Sequence, residues 1–239
     1  MAVAGLLVLA VLSYLVQYLI FHNPREMWVW IINSFAFVPL DIILTAFIVS
    51  RVITTQEKRA QQQKLNMVIG AFFSQLGNRL LADLAPAAAD APETRQRLNL
   101  QSSWRKDDFA DAARFALTLK SRVNLDLLDL SALRELLANH REFMVRLLEN
   151  PLLLEHVAFT DLLWAVFHLS DELEAREDLA NLPAADRGHL AGDVNRAFGR
   201  IVAIWVGYAQ HLQQDYPYLF SLVLRTHPFQ ESPSPLATD

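Results

Sequence analysis

The sequence predicts an all-α protein with three parts: a two-helix transmembrane hairpin, a long juxtamembrane helix and a cytoplasmic bundle of about five helices. Residues 1–50 carry only three formal charges, which is typical of membrane-spanning segments. Apolar residues in the rest of the chain recur in steps of three and four, and no stretch alternates as a β-strand does. Both patterns favour helices along the whole chain.

Residues 1–50 are predicted to form an antiparallel hairpin of two membrane spans. The stretch Ala2–Phe21 has 20 residues without a charge, which as a helix is about 30 Å long, the thickness of a bilayer core. His22–Glu26 is a polar turn, and Met27–Ser50 is a second span of 24 residues. The first span lacks the basic start and the small-residue cleavage site of a signal peptide, so we expect it to remain in the protein.

The orientation follows from the basic residues that come directly after the second span. Arg51, Lys58, Arg59 and Lys64 stand there, whereas the predicted turn offers only Arg25. Since basic flanks stay on the cytoplasmic side, we expect both termini in the cytoplasm and the protein in a bacterial inner membrane. The lipid bilayer is then the first predicted partner, and these four basic residues face its surface.

Asp41 is a carboxylate near the middle of the second span. An aspartate at that depth costs roughly 2.5–3.5 kcal/mol, so it should face protein or water rather than lipid. Thr45, four residues on, could donate a hydrogen bond to it. Two alternatives stay open: Asp41 holds an oligomer together, or it lines an ion or proton path together with Asn33.

Residues 51–85 are predicted to form a basic amphipathic helix that continues out of the membrane. The broad apolar face could pack on the cytoplasmic body or lie on the membrane surface, and packing is the favoured alternative. The residues of this face recur at helical spacing: Val68, Ile69, Phe72, Phe73, Leu76, Leu80 and Leu81.

The run VPLDIILTAFIVSR, followed by EKR and by KLNMVIGAFFSQLG, resembles a group of bacterial membrane proteins. The resemblance covers about Pro39 to Gly77. It implies two N-terminal spans followed by a helical cytoplasmic region. The group carries no assigned activity or catalytic residues, so the resemblance supports the architecture alone.

Residues 86–227 are predicted to form an acidic helical domain. Residues 85–97, rich in alanine and proline, would be a linker. Trp164 and Trp205 are expected in the core, and residues 228–239 are expected to be a disordered tail. Five helices are predicted, at residues 104–122, 130–149, 157–178, 184–214 and 216–226.

Charge and cysteine content exclude several classes of function. Residues 81–239 have a net charge of −8, and an acidic body is a poor partner for nucleic acid. The chain has no cysteine, which excludes disulfides, thiolate metal sites and a cysteine nucleophile.

Three His-x-x-x-acid pairs on the predicted helices of the body are the pattern best suited to a metal. They are His168–Glu172, His189–Asp193 and His211–Asp215, and a spacing of four places each pair on one helix face. The same spacing is common in surface ion pairs, which is the favoured interpretation. No cofactor is therefore predicted, and His168, Glu172, His189 and Asp193 are weak metal candidates.

No catalytic motif stands out. Glycine-rich phosphate loops and G-x-S-x-G are absent. Arg134 and His140 match the loose Arg–His pattern of the HEPN ribonucleases, but a match to so loose a pattern is expected by chance. The sequence leans against an enzyme and favours a membrane-anchored interaction module or a subunit of a membrane complex, as an oligomer or with a protein partner. The alternatives are a small oligomeric channel or transport accessory using Asp41, and a metal-dependent or nucleolytic enzyme using His168, His189 or His140.

Overall fold

A computed structural model of the chain describes residues 2–21, 24–88, 92–119 and 123–236. These residues form helices and connecting segments, with no β-strand among them. The all-α prediction is confirmed for this part of the chain. The chain divides into two compact units, residues 1–60 and residues 61–239, and each is described by itself.

The first unit contains α1 (Ala2–Phe21) and the N-terminal part of α2 (Pro24–Phe72). Helix α2 continues without interruption through Pro39. By length and composition, one helix of the described chain is apolar enough to cross a membrane, and Val8–Ile20 is a shorter apolar stretch. His22 and Asn23 of the predicted turn lie outside the described residues.

The apolar face predicted for residues 51–85 packs into the core of the second unit. This packing agrees with the favoured alternative, in which the face packs on the body rather than on lipid. The second unit accordingly begins at residue 61, inside α2. The predicted boundary after residue 85 instead lies within the packed unit. The buried residues of the face are Leu65, Ile69, Phe72, Phe73, Leu76, Leu80, Leu81 and Leu84.

A π-helical turn at Phe73–Gly77 joins α2 to α3 (Asn78–Ala88). The turn brings the rings of Phe72 and Phe73 over Gly77, where a Cβ atom would lie 2.6 Å from both rings. Only glycine fits this close approach. Because α3 extends to Ala88 and α4 covers Pro92–Leu98, much of the predicted linker is helical.

The remaining helices follow the prediction closely and surround a long central helix, α9. The predicted helix at 130–149 is divided at His140, where α6 ends and α7 begins. Helix α9 packs against α3, α5, α8 and α10. The elements are α5 (Lys106–Thr118), a 3-10 turn (Leu125–Leu127), α6 (Leu130–Asn139), α7 (Arg141–Leu148), a 3-10 turn (Pro151–Glu155), α8 (Val157–Glu174), α9 (Ala184–Asp215) and α10 (Pro217–Thr226).

Of the two tryptophans predicted to lie in the core, one differs from expectation. Trp164 is 61% exposed on α8, so its assignment to the core was wrong, whereas Trp205 on α9 is buried as predicted. The segment predicted to be a disordered tail is described as far as Leu236. It folds back on α10, with Phe229 buried and the Ser234 N–H donating to the Arg225 carbonyl.

Candidate metal centre

Four of the predicted metal candidates meet where α8 ends and α9 begins. His168 and Glu172 stand four residues apart on α8, and His189 and Asp193 have the same spacing on α9. Each spacing places both side chains on one helix face, and α8 packs directly against α9. The two faces therefore meet, and the two ordinary-looking pairs become one cluster, which we call the α8–α9 cluster.

The nitrogen and oxygen atoms of the α8–α9 cluster alternate at short distances. The Nε2 atom of His168 lies 3.8 Å from Glu172 Oε1 and 3.5 Å from Asp193 Oδ1. The Nε2 atom of His189 lies 3.6 Å from Glu172 Oε2 and 3.4 Å from Asp193 Oδ2. One ligand atom from each residue can be chosen so that all four lie within 4.8 Å of one another. The cluster is thus compact enough for one ion.

The cluster is buried at its base and open at its rim. Asp193 is 2% exposed, whereas the side chains of His168 and His189 are 44% and 57% exposed. The buried Oδ2 atom of Asp193 accepts no hydrogen bond from any described residue. A buried carboxylate oxygen without a partner is costly, so this atom marks the place where a cation would be stabilising.

Two arginines hold the carboxylates of the cluster in place. Arg196 Nη1 lies 2.7 Å from Asp193 Oδ1, and Arg176 Nη1 lies 2.7 Å from Glu172 Oε2. Arg176 also donates two hydrogen bonds, of 2.7 and 2.6 Å, to Asp186. The Arg176 guanidinium keeps the pKa values of both Glu172 and Asp186 below their ordinary values. Both carboxylates therefore remain ionised under ordinary conditions.

Sequence reasoning missed Arg176, Arg196 and Asp186. The spacing Glu172–Arg176 is four and Asp193–Arg196 is three, which are ordinary helix ion-pair spacings and hence carried no special signal. Asp186 belongs to the first turn of α9, and only the turn between the two helices brings it to Arg176. The sequence identified the candidate ligands and missed the groups that orient them.

The other candidates of the body have local roles. His211 Nδ1 pairs with Asp215 Oδ2 at 2.7 Å, and this third His-x-x-x-acid pair does not belong to the cluster. Arg134 donates to the Arg176 carbonyl, and the ring of His140 contacts the Leu136 carbonyl at 2.8 Å. These contacts satisfy backbone carbonyls, as expected of structural side chains.

The polar residues predicted to have a role within the second span are exposed. Asn33, Asp41 and Thr45 all lie on the surface of α2, and the Asp41 carboxylate accepts no hydrogen bond from the residues that the structure describes. The four basic residues predicted to face the membrane surface, Arg51, Lys58, Arg59 and Lys64, are also exposed. The guanidinium carbon of Arg51 lies 5.3 Å from the centre of the Phe47 ring.

Comparison with known proteins identifies a helical family. Residues 61–225 match the family described as "Uncharacterized protein MJ1433, C-terminal helical domain", and residues 1–53 match "MJ1433, N-terminal helical domain". The division between the two matches coincides closely with the division between the two compact units. No solved structure matches the chain.

An archaeal protein is similar over nearly the whole length. Uncharacterized protein MJ1433 of Methanocaldococcus jannaschii is 38% identical over 224 residues, which cover 94% of this chain and 90% of the relative. The sequence resemblance was to bacterial membrane proteins, whereas this relative is archaeal, and the similarity supports a helical architecture. With both units matched, the chain belongs to the MJ1433 family of helical proteins.

Proposed function

We propose that the protein is a membrane-anchored all-α module. In this proposal residues 1–50 cross the bilayer twice as a hairpin, and the body from residue 61 onward lies in the cytoplasm. The body then serves as an interaction module or as a subunit of a membrane complex. Since the family includes an archaeal protein, the proposed location is the cytoplasmic membrane rather than a bacterial membrane in particular.

The exposed apolar surface of the first unit carries this proposal. Apart from the half-buried Tyr14, the large apolar side chains described between Val8 and Ile53 are 45% to 75% exposed. Soluble proteins rarely expose more than a few hundred Å² of contiguous apolar surface, whereas a bilayer is the natural environment for such a surface. Within both helices the backbone hydrogen bonds are internal, as lipid requires, except at the Phe35 carbonyl, because Pro39 has no N–H to donate to it.

The orientation rests on charge. Arg51, Lys58, Arg59 and Lys64 are exposed on α2 after the apolar stretch, where anionic headgroups of the cytoplasmic leaflet would attract them. The body itself is acidic, which disfavours nucleic acid as its partner. A protein partner or a second copy of the chain fits this charge distribution better.

Labelling of single cysteines tests the anchor and its orientation. Because the natural chain has no cysteine, Asn23→Cys and Ser234→Cys each create one thiol. An impermeant maleimide should label Asn23→Cys only in right-side-out vesicles and Ser234→Cys only in inverted vesicles. The unsubstituted chain is the control for background labelling.

Two results would contradict the anchor. One is release of the protein from membranes by alkaline carbonate, since a two-span protein remains in the bilayer under that treatment. The other is labelling of both positions from the same side, which would be inconsistent with a hairpin between them.

A further inference from the structure

We propose that the α8–α9 cluster binds one divalent transition-metal ion, with Zn²⁺ as the best fit, through His168, Glu172, His189 and Asp193. The ion would connect the end of α8 to the start of α9. This assignment concerns the body alone and does not depend on whether the first unit enters a membrane.

The distances between the candidate ligands are close to those of a tetrahedral site. Zn²⁺ binds imidazole nitrogen and carboxylate oxygen at about 2.0–2.2 Å, which places the ligands of a tetrahedron about 3.3–3.6 Å apart. Two distances involve the oxygens that the arginines leave free: 3.8 Å from His168 Nε2 to Glu172 Oε1, and 3.4 Å from His189 Nε2 to Asp193 Oδ2. One atom from each of the four residues can be chosen so that all lie within 4.8 Å of one another, and rotation of the exposed histidine side chains would bring them to coordination distance.

The arrangement of hydrogen bonds leaves one oxygen of each carboxylate for the ion. Arg196 contacts Oδ1 of Asp193, and Arg176 contacts Oε2 of Glu172. Oδ2 of Asp193 is buried and accepts no hydrogen bond from the described residues. A metal ion would satisfy this buried oxygen, and the arginines would act as the outer partners that orient metal-binding carboxylates.

The net charge of the cluster and the types of its ligand atoms also indicate which kind of ion would bind. Glu172, Asp193 and Asp186 carry three negative charges against two positive charges on Arg176 and Arg196, so the cluster attracts a cation when its histidines are neutral. Two imidazoles disfavour Mg²⁺ and Ca²⁺, which prefer oxygen ligands, and the absence of thiolates disfavours Cu⁺. Four protein ligands without an open position are typical of a structural zinc site.

The exposed histidines give the ion a path from solvent. His168 and His189 are near the surface, whereas Asp193 lies at the base of the cluster. An ion can therefore enter or leave without unfolding the body. Because the segment between residues 175 and 183 is the only covalent link from α8 to α9, the ion would act as a second link between the two helices.

The test measures Zn²⁺ binding to the full chain in detergent. The protein is purified without a polyhistidine tag, treated with a chelator and titrated with Zn²⁺ by calorimetry; Co²⁺ absorption then reports the coordination geometry. We expect one Zn²⁺ per chain and the intense visible bands of tetrahedral Co²⁺. His189→Ala and Asp193→Asn should each weaken binding by at least about 10- to 100-fold, the loss that even an outer-shell change causes.

His211→Ala is the matched control, because His211 belongs to the third pair of the same spacing but lies outside the cluster. Binding should be unchanged in this variant. Full-affinity binding in His189→Ala, or no stoichiometric Zn²⁺ in the unsubstituted chain, would overturn the assignment. Since His168 and His189 are exposed, His168→Ala gives a second variant that keeps the fold if Asp193→Asn does not.

Discussion

At the residue scale, a buried histidine near the C-terminus is a titratable group that the proposed metal centre does not use. His227 packs against the rings of Trp205 and Phe229, at centroid distances of 5.5 and 6.2 Å. Both of its ring nitrogens are buried and have no hydrogen-bond partner among the described residues. Burial lowers the pKa of His227 from 6.5 to about 4. The folded body therefore holds this ring neutral.

The stability of the body should consequently fall as the pH is lowered from about 6.5 to about 4. In that window the unfolded chain binds a proton at His227 and the folded chain does not, so unfolding is favoured by up to about 3 kcal/mol. Above pH 6.5 the effect is absent. His227→Phe should keep the aromatic packing and flatten the pH dependence, as measured by urea unfolding in the presence of a chelator.

The other groups with shifted pKa values affect the stability of His227→Phe and of the unsubstituted chain equally. Burial also lowers the pKa of His156, but that residue is unchanged by the substitution. Glu172 and Asp186 have pKa values lowered by Arg176, so their contribution is lost only at a lower pH. Parallel loss of stability in the variant and the unsubstituted chain would show that His227 is not responsible.

At the element scale, the close approach of α5 and α9 depends on one glycine. A Cβ atom at Gly199 of α9 would lie 2.8 Å from the backbone carbonyl oxygen of Ala116 on α5. Real Cβ atoms do not come so near, and a backbone oxygen cannot move aside as a side chain can. The helix pair therefore requires glycine at this position, although glycine lowers the helix propensity of α9.

Gly199→Ala should destabilise the body by about 1–3 kcal/mol, the usual cost of overpacking. Gly207, on the same helix, is exposed and has open space around its Cα, so Gly207→Ala is the matched control. The control should be neutral or stabilising by up to about 1 kcal/mol. Urea unfolding measures both, and an equal effect of the two substitutions would contradict the packing argument.

At the scale of the whole molecule, the proposed membrane anchor leaves one carboxylate, that of Asp41, to be accounted for. Asp41 stands on an apolar helix surface, and none of the described residues donates a hydrogen bond to its carboxylate. If the proposed hairpin crosses the bilayer, a carboxylate that faces lipid is costly, and two spans per chain would supply few other groups to cover it. In a membrane oligomer, a second copy of the chain would shield the Asp41 carboxylate from lipid.

The mass of the intact protein in detergent tests this assembly. Light scattering corrected for the micelle should give a defined oligomer, and Asp41→Leu should shift it towards the monomer. Ile42→Leu, a conservative change at the neighbouring position, should leave the mass unchanged. If the protein is monomeric, or if Asp41→Leu keeps the same mass, Asp41 is not an assembly contact.

A second measurement distinguishes a channel from a purely structural oligomer. In liposomes, a channel that uses Asp41 and Asn33 would carry protons or ions and lose that flux in Asp41→Asn. A structural oligomer would show no flux in either form.

The helices were largely readable from the sequence because their signals are local. Apolar spacing in steps of three and four, and prolines at 151, 183 and 217, are properties of short stretches. The predicted helices agree with α5 to α10 to within a few residues, apart from the break at His140 and from the ends predicted for α5 and α8, each four residues beyond the observed end. The uncharged N-terminal stretches were evident for the same reason. The candidate metal ligands were identified one pair at a time.

What only the tertiary structure decided is which of these local features meet. Trp164 has the spacing of a core residue yet faces outward, because helical periodicity cannot say how much of a face a neighbouring helix covers. His168 and His189 are 21 positions apart, and only the packing of α8 on α9 places their pairs around one point. A sequence shows residue types and spacing along one helix, whereas a metal centre is a property of distances between helices.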